Sequence, residues 1–241
     1  MSIVVQLTFA NKKHIISAKG VGSVELSNCF PVWNKLSPFE QTWLTQHSVK
    51  RKVKASTILH NGEAECDGLY IVLSGQLRVF SVSDEGREIT LFRLFEMDNC
   101  LFSASCMMSG LQFSVSIEAQ KDSEIIIVAP DAYKKLMEES ATVANYTNNL
   151  LASRMTEIMW LMEQIMWKSF DKRLAAFLLE ESLLEESDCL KITHEKIAAN
   201  LGTAREVVTR MLKYFQTENA VELSRGTVKI TDRDVLTRLS Q

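Results

Sequence analysis

Three charged side chains stand close together in the stretch THEKIAANLGTAREVVTRMLKYF: Arg205, Glu206 and Arg210. Helical spacing places them on one side of a helix, together with Thr209 and Lys213. An arginine can hold the edge of a guanine with two hydrogen bonds, and a glutamate can accept one from the amino group of cytosine. These residue types therefore suit contact with bases and phosphates in a groove of DNA.

Two helical patterns that flank a short turn at 201–203 must position these side chains. Thr193 is placed to cap the first helix, and Gly202 permits the turn. Thr203, with Glu206 three residues later, predicts a capping box for the second helix. We expect both threonines to belong to the DNA-contacting set. The apolar face that would bury the second helix consists of Val207, Val208, Met211, Leu212 and Phe215.

Residues 221–230 follow with the pattern of a small β-hairpin that turns near Arg225 and Gly226. A hairpin after two such helices is typical of a winged helix-turn-helix. The same geometry also occurs in domains that contact only protein. The alternative is therefore a ligand-binding or protein-interaction module whose helix-turn-helix no longer reads DNA.

The charge of the chain is compatible with a local DNA contact. The 241 residues carry a net charge of −3, but after residue 190 nine basic residues face six acidic ones. That segment is therefore at +3, and the rest of the chain is near −6. No phosphate loop, HExxH or GxSxG motif occurs, so we do not expect an enzyme.

Cysteine usage and hydropathy indicate a protein of the reducing cytoplasm. The five cysteines are scattered and form no CxxC pair. No apolar run is long enough to span a membrane, and the N-terminus lacks the pattern of a signal peptide.

The first half of the chain has the pattern of an all-β domain. Residues 35–47 predict a short helix, with Ser37 as its N-cap. From Lys52 to Val128, short apolar or alternating runs are separated by turn signals, which favours a β-sandwich or barrel. Residues 1–27 are interpreted as an N-terminal arm in which no element is assigned.

A long helix is predicted over 141–168, after a short one over 131–139. Apolar residues recur in it at alternating spacings of four and three, the heptad pattern of an interface between two helices. The alternative is that this face packs on the β-domain of its own chain. The residues of this predicted dimer seam are Leu151, Met155, Ile158, Met162 and Ile165. Residues 169–171 interrupt the pattern, and a fresh amphipathic helix follows over 171–186.

The order of these elements resembles the Crp/Fnr family of bacterial transcription regulators. The resemblance rests on DGLYIVLSGQLRVFSVSDEGREIT, MEQIMWKSFDKRLAAFLLEE and ITHEKIAANLGTAREVVTRMLKYFQTENAVELSRGTVKITD, and covers roughly residues 28–238. It implies an α+β fold with an antiparallel, cupin-like β-roll that senses an effector (28–140), a dimerisation helix (141–169) and a winged helix-turn-helix (170–241).

The resemblance also implies a function. The family's R-E-x-x-x-R recognition pattern falls on Arg205, Glu206 and Arg210, which implies half-sites with a GTGA-like core. A two-fold homodimer would read two such half-sites in successive major grooves of double-stranded DNA. RNA polymerase at promoters would be a further partner.

The sequence does not identify the effector that the β-roll senses, because the residues that hold cyclic nucleotides in the family are missing. The family's Gly-Glu and Arg-Ser/Thr positions fall on Ser103 for the glutamate and Phe113 for the arginine, so that only Ser114 persists. No Arg or Lys occurs between residues 97 and 119. An aromatic ring cannot replace a guanidinium against a buried phosphate, which argues against cyclic AMP.

Other cofactors of the family have limited support. Only Cys29 lies in the region where the oxygen-sensing members carry a cysteine cluster, which argues against a four-cysteine iron–sulfur centre. Haem is left open, with His60 or a cysteine as axial ligand, although a histidine beside Asn61 and Gly62 also fits an ordinary turn.

Two kinds of signal remain for the β-roll. One is a small, weakly charged organic effector in a pocket lined by Met107, Met108, Leu111 and Phe113, with polar contacts from Ser103, Ser105 and Ser114. The other is thiol oxidation at Cys100 and Cys106, against which stands the interpretation that both are buried small apolar residues.

Overall fold

The computed structural model describes residues 18–61, 67–101 and 114–241. It confirms the predicted α+β architecture of a β-roll, long helices and a winged helix-turn-helix. The chain divides into two compact units. The N-terminal unit comprises the described parts of 1–79 and 93–152, and the C-terminal unit comprises 80–92 and 153–241. Within the described ranges, no helix has the length and hydropathy needed to cross a membrane.

The β-roll is built from two sheets. One has the strand order β1-β2-β9-β4-β7, and the other has the order β3-β8-β5-β6. The strands are β1 Ala18–Gly20, β2 Ser48–Val53, β3 Ile58–Asn61, β4 Leu69–Ser74, β5 Leu77–Val82, β6 Glu88–Leu94, β7 Asn99–Cys100, β8 Ser116–Ala119 and β9 Ser123–Val128. The turn signals of the sequence therefore separate strands as predicted. Gly62, the second residue of the predicted Asn-Gly turn, lies outside the described residues.

Helices cover the central strands β4 and β9, which explains why these two strands are almost continuously apolar. Leu69 and Ile71 of β4 pack with Leu26, Leu44 and Tyr133 from three helices in one buried cluster. The helices that precede the C-terminal unit or lead into it are α1 Ser23–Cys29, α2 Pro38–Gln46, α3 Pro130–Glu139 and α4 Ala141–Trp167, with a 3₁₀ turn at Trp33–Lys35.

The cap predicted for α2 is confirmed. The hydroxyl of Ser37 accepts from the backbone N–H of Glu40 at 3.3 Å, and the Glu40 carboxylate accepts from the N–H of Ser37 at 2.6 Å. Pro38 occupies the first helical position, where its missing N–H has no intrahelical partner to lose.

Part of the segment left unassigned by the sequence is ordered structure. Strand β1 pairs antiparallel with β2, and α1 buries Leu26 completely. Glu25 of α1 forms an ion pair with Lys50 of β2, with 2.9 Å between Oε1 and Nζ. Residues 18–27 are therefore integral to the β-roll. The interpretation of 1–27 as one arm was too long at its C-terminal end, because a three-residue strand and a seven-residue helix carry little periodic signal.

The C-terminal unit encloses its own core. Leu178, Val208, Leu212, Phe215 and Leu236 are fully buried in it. A three-stranded sheet of order β10-β12-β11 closes one side. The elements are α5 Phe170–Leu184, β10 Cys189–Leu190, α6 His194–Leu201, α7 Arg205–Thr217, β11 Val221–Ser224, β12 Thr227–Ile230 and α8 Arg233–Ser240.

The tip of the β5–β6 hairpin belongs to this second unit. Ile89 forms an antiparallel bridge with Leu201 at the end of α6, and the hydroxyl of Thr90 donates to Oδ1 of Asn200 at 2.7 Å. The guanidinium of Arg154, in α4, lies 4.9 Å from the centre of the Phe92 ring. A Cβ added to Gly202 would lie 2.8 Å from Cδ1 of Ile89.

We expect Gly202→Ala to destabilise the C-terminal unit by about 2–5 kcal/mol. Its φ of +68° lies in the left-handed region, which costs a residue with a Cβ about 1–2 kcal/mol, and overpacking against Ile89 adds about 1–3 kcal/mol. Thermal unfolding followed by circular dichroism measures the loss. Gly226→Ala is the matched control, because Gly226 has a φ of +73° and nothing within 4 Å of the added Cβ. Equal destabilisation by the two substitutions would contradict the steric argument.

Candidate nucleic-acid interface

The first helix of the motif begins and ends as its residue types require. The hydroxyl of Thr193 accepts from the backbone N–H of Lys196 at 3.2 Å, which confirms it as the N-cap of α6. The helix ends at Gly202 in the left-handed conformation. Its last turn is held from α5, because Nη1 of Arg173 donates to the carbonyl of Leu201 at 3.2 Å. Burial lowers the pKa of Arg173.

The capping box predicted for the second helix is wrong. The N-cap of α7 is Ala204, and no side chain accepts a hydrogen bond there. Thr203 instead closes α6, because its backbone N–H donates to the carbonyl of Ala198 at 3.1 Å. Because this bond holds Thr203 in the turn after α6, α7 begins one residue later than the Thr-x-x-Glu spacing predicts. Glu206 still lies in the first turn of α7, where the helix dipole favours a carboxylate.

Helix α7 has a buried side and an exposed side, as predicted. Val208, Leu212 and Phe215 are fully buried, whereas Val207 and Met211 are half-buried. The charged residues of the predicted recognition set are all exposed: Arg205, Glu206, Arg210 and Lys213. One face of α7 thus presents two guanidinium groups, an ammonium and a carboxylate.

Thr209 differs from these charged neighbours, because its hydroxyl is already engaged within the protein. It donates to the carbonyl of Arg205 at 2.9 Å and lies 2.9 Å from Nδ1 of His194, the first residue of α6. Burial, followed by the positive charge of Arg205, lowers the pKa of His194. Sequence reasoning missed His194, because the crossing angle of the two helices, which spacing does not give, brings residues 194 and 209 together.

The wing is confirmed as an antiparallel pair, β11 with β12, that turns at Arg225 and Gly226. Arg225 is exposed at the tip. Behind the wing, Arg233 binds Asp188 through Nη2 at 2.6 Å and donates from the same nitrogen to the hydroxyl of Ser182 at 2.9 Å. These bonds tie the start of α8 to α5 and to the approach to β10.

Most of the predicted effector pocket lies outside the described residues: Ser103, Ser105, Met107, Met108, Leu111 and Phe113, together with Cys106. Of the remaining residues, Ser114 is exposed just before β8. Cys100 is completely buried on β7, opposite Tyr70 of β4. Its burial fits the interpretation of Cys100 as a small apolar residue.

His60 is buried on β3 and contacts Asp67, with 3.2 Å between Nδ1 and Oδ2. The hydroxyl of Tyr70 donates to the same carboxylate oxygen at 2.9 Å. Burial and the charge of Asp67 raise the pKa of Tyr70. These contacts account for the burial of His60 through local structure. His60 belongs to β3 and not to a turn.

The predicted seam on α4 has two different environments. Leu151 is half-buried against the core of the N-terminal unit, and Ile158 is also half-buried. Met155, Met162 and Ile165 are 56%, 48% and 42% exposed. Large apolar neighbours extend this uncovered surface: Met159, Trp160, Met166 and Trp167. The start of the seam therefore packs on its own chain, and the rest is an exposed apolar face within the described single chain.

Comparison with known proteins agrees with this geometry. The Crp-like helix-turn-helix domain family matches residues 172–239, and the cyclic nucleotide-binding domain family matches residues 50–140. The Cyclic AMP receptor protein of Thermus thermophilus is 27% identical over 211 residues, which cover 87% of this chain and 96% of that protein. The cAMP-activated global transcriptional regulator CRP of Haemophilus influenzae is 24% identical over 195 residues, covering 78% and 86%.

A solved structure gives the strongest of these similarities. A crystal structure described as a transcriptional regulator of the Crp/Fnr family from Eubacterium rectale is 54% identical, with a TM-score of 0.87. The match covers 88% of this chain and 99% of that one. With a cyclic-nucleotide-binding-like β-roll and a Crp-like helix-turn-helix in one chain, the protein belongs to the Crp/Fnr family of DNA-binding transcription regulators.

Proposed function

We propose that this regulator is a homodimer that reads a palindrome with GTGA-like arms, and that a signal sensed in the β-roll controls it. The observation that carries the proposal is the exposed face of α7, where Arg205, Glu206 and Arg210 project from a helix whose other side carries the fully buried residues of the core. Arginine suits the two adjacent acceptors of guanine, and glutamate suits the amino group of cytosine. The DNA backbone would be contacted by Thr193, Thr203 and Lys213. Thr209 would hold the first turn of α7 through its bond to the carbonyl of Arg205.

The proposed dimer uses the exposed part of the α4 seam. Apolar side chains of this size, exposed in a continuous stripe, mark an interaction surface. Since the stripe follows a heptad spacing, its fitting partner is the same helix of a second copy. The two-fold dimer would present two recognition helices to successive major grooves, and the bound regulator would engage RNA polymerase at promoters in the cytoplasm.

The proposed signal is a small, weakly charged organic molecule and not cyclic AMP. The described buried arginines are each paired with a carboxylate: Arg78 lies 3.6 Å from Glu118, and Arg154 lies 2.8 Å from Glu157. With no Arg or Lys between residues 97 and 119, that segment supplies no cation for a buried phosphate. Thiol oxidation at Cys100 and Cys106 is the competing signal, and DNA binding with and without reductant distinguishes it from an organic effector.

Selection of binding sites from a random duplex pool, at fixed salt and with and without reductant, tests the proposed function. We expect an enriched palindrome with GTGA-like arms. Enrichment under only one redox condition would favour the thiol signal over the organic effector. If no sequence is enriched, even after addition of a cell metabolite extract, the proposed DNA reading is wrong.

We expect Arg205→Ala to lose about 1–3 kcal/mol of discrimination at one base pair of each arm, because a bidentate contact to guanine is removed. Competition binding with single-base variants of the selected site measures this loss. Arg238→Ala is the matched control, since it removes the same charge from an exposed position of α8. Arg205 would not read a base if the two variants weakened all duplexes equally.

We expect Ile158→Asp to raise the dissociation constant of the dimer by about a hundredfold, since an unpaired carboxylate in a buried interface costs about 3 kcal/mol. Specific DNA binding should weaken with it. Sedimentation equilibrium measures the dimer, and Ser153→Asp is the control, because it adds the same charge at an exposed position about 200° around the helix from Leu151. An intact Ile158→Asp dimer would contradict the seam.

We expect millimolar cyclic AMP to leave the thermal unfolding of this chain unchanged. A ligand at a hundred times its dissociation constant stabilises the folded state by about 2.7 kcal/mol, which a thermal-shift assay detects as a rise of several degrees. The Cyclic AMP receptor protein of Thermus thermophilus, assayed in parallel, provides the positive control. A saturable rise for this chain would overturn the argument from the missing arginine.

A further inference from the structure

We propose that His194 is a further recognition residue: its ring fixes Thr209 beside Arg205, and it takes up a proton when DNA binds, so that DNA affinity depends on pH. The inference rests on the proposed role of α7 as the recognition helix. It adds a residue from α6 to an interface that the sequence had placed on α7 and the caps of the two helices.

A chain of two hydrogen bonds links the two helices at this point. The hydroxyl of Thr209 donates to the carbonyl of Arg205, one turn earlier in α7, at 2.9 Å. The same oxygen lies 2.9 Å from Nδ1 of His194. The ring of His194 is half-buried, so it is neither a core residue nor a freely moving surface side chain.

The hydrogen bonds determine the protonation state of the neutral ring. A threonine hydroxyl has one proton, and the carbonyl of Arg205 can only accept it. With the hydroxyl proton of Thr209 given to this carbonyl, Nδ1 of His194 donates to Thr209, and Nε2 is the unprotonated nitrogen. A second proton enters at Nε2 and turns a hydrogen-bond acceptor into a donor without breaking the bond to Thr209.

The electrostatic surroundings favour the neutral form of the ring in the free protein. Burial and the positive charge of Arg205, on α7, lower the pKa of His194 below its ordinary 6.5. Its own helix carries Glu195 and Lys196 next to it in sequence, both exposed. A DNA duplex brings negative phosphates to the same surface and counters the charge of Arg205, so the pKa rises in the complex.

The direction of the pH dependence follows from these two states. Because the pKa is higher in the complex than in the free protein, binding takes up protons. The additional affinity is fully present below the pKa of the free protein and is lost as the pH rises through the pKa of the complex. Each unit by which DNA raises the pKa is worth about tenfold in affinity for each ring, and a dimer has two rings.

The test measures the affinity of the full-length protein for its selected duplex by fluorescence anisotropy, at fixed salt, between about pH 8 and about pH 5.5. We expect the wild type to gain at least about tenfold more affinity over this range than His194→Asn. Asparagine keeps an N–H where Nδ1 donates but does not titrate. The control is His47→Asn, which removes a half-buried histidine of the N-terminal unit that bonds the carbonyl of Trp43 at 2.8 Å.

A second measurement follows the ring itself by ¹H–¹⁵N NMR. We expect the Nδ1–H tautomer in the free protein and a higher titration midpoint after the duplex is added. The inference about His194 is wrong if the ring carries its proton on Nε2, or if His194→Asn keeps the pH dependence of the wild type while discriminating the selected duplex from a scrambled one. If no variant and no wild-type sample discriminates the two duplexes at any pH, the proposed function itself fails.

Discussion

The burial of one stripe of α7 is the constraint on which the proposed recognition surface depends. Val208, Leu212 and Phe215 have no exposed area, and the free energy of removing them from water fixes the rotation of the helix about its axis. A helix held in this way has no freedom in where its other side points. Arg205 and Arg210 therefore face outward as a consequence of core packing, and a change in the core would redirect them without touching a charged residue.

The periodic parts of the molecule were predictable from the sequence, and the parts set by tertiary contacts were not. Runs of alternating polar and apolar residues, separated by turn residues, predicted most of the β-roll strands. The spacing of apolar residues predicted α4 and α7, because both patterns repeat over several residues. The helix α1 was missed, since seven residues show scarcely two turns. Thr203 has the ideal residue type for a cap, yet the closure of α6 uses its backbone. His194 acquires its partner only through the crossing of two helices.

The long helix α4 explains how one sequence pattern can serve two purposes. A heptad seam predicts a surface but not what covers it, so both the dimer and the packing on the chain's own β-domain were open. Leu151 packs into the core of the N-terminal unit, whereas Met155, Met162 and Ile165 keep about half of their surface exposed. The division between the two compact units falls between residues 152 and 153, inside this helix. The part that packs on the N-terminal core and the part proposed to form the dimer therefore lie on one continuous helix.

The contact between Ile89 and Gly202 limits where the β-roll of one regulator can be fused to the helix-turn-helix of another. Residue 89 lies in the sequence of the β-roll, more than a hundred positions before the turn that it touches, and residues 80–92 group with the helix-turn-helix. A gene fusion made at the apparent boundary near residue 169 would separate Ile89 and Thr90 from Leu201 and Asn200. The compact unit that contains the helix-turn-helix is therefore discontinuous in sequence. A chimeric regulator keeps the contact between Ile89 and Gly202 only if the β5–β6 hairpin and the helix-turn-helix come from the same protein.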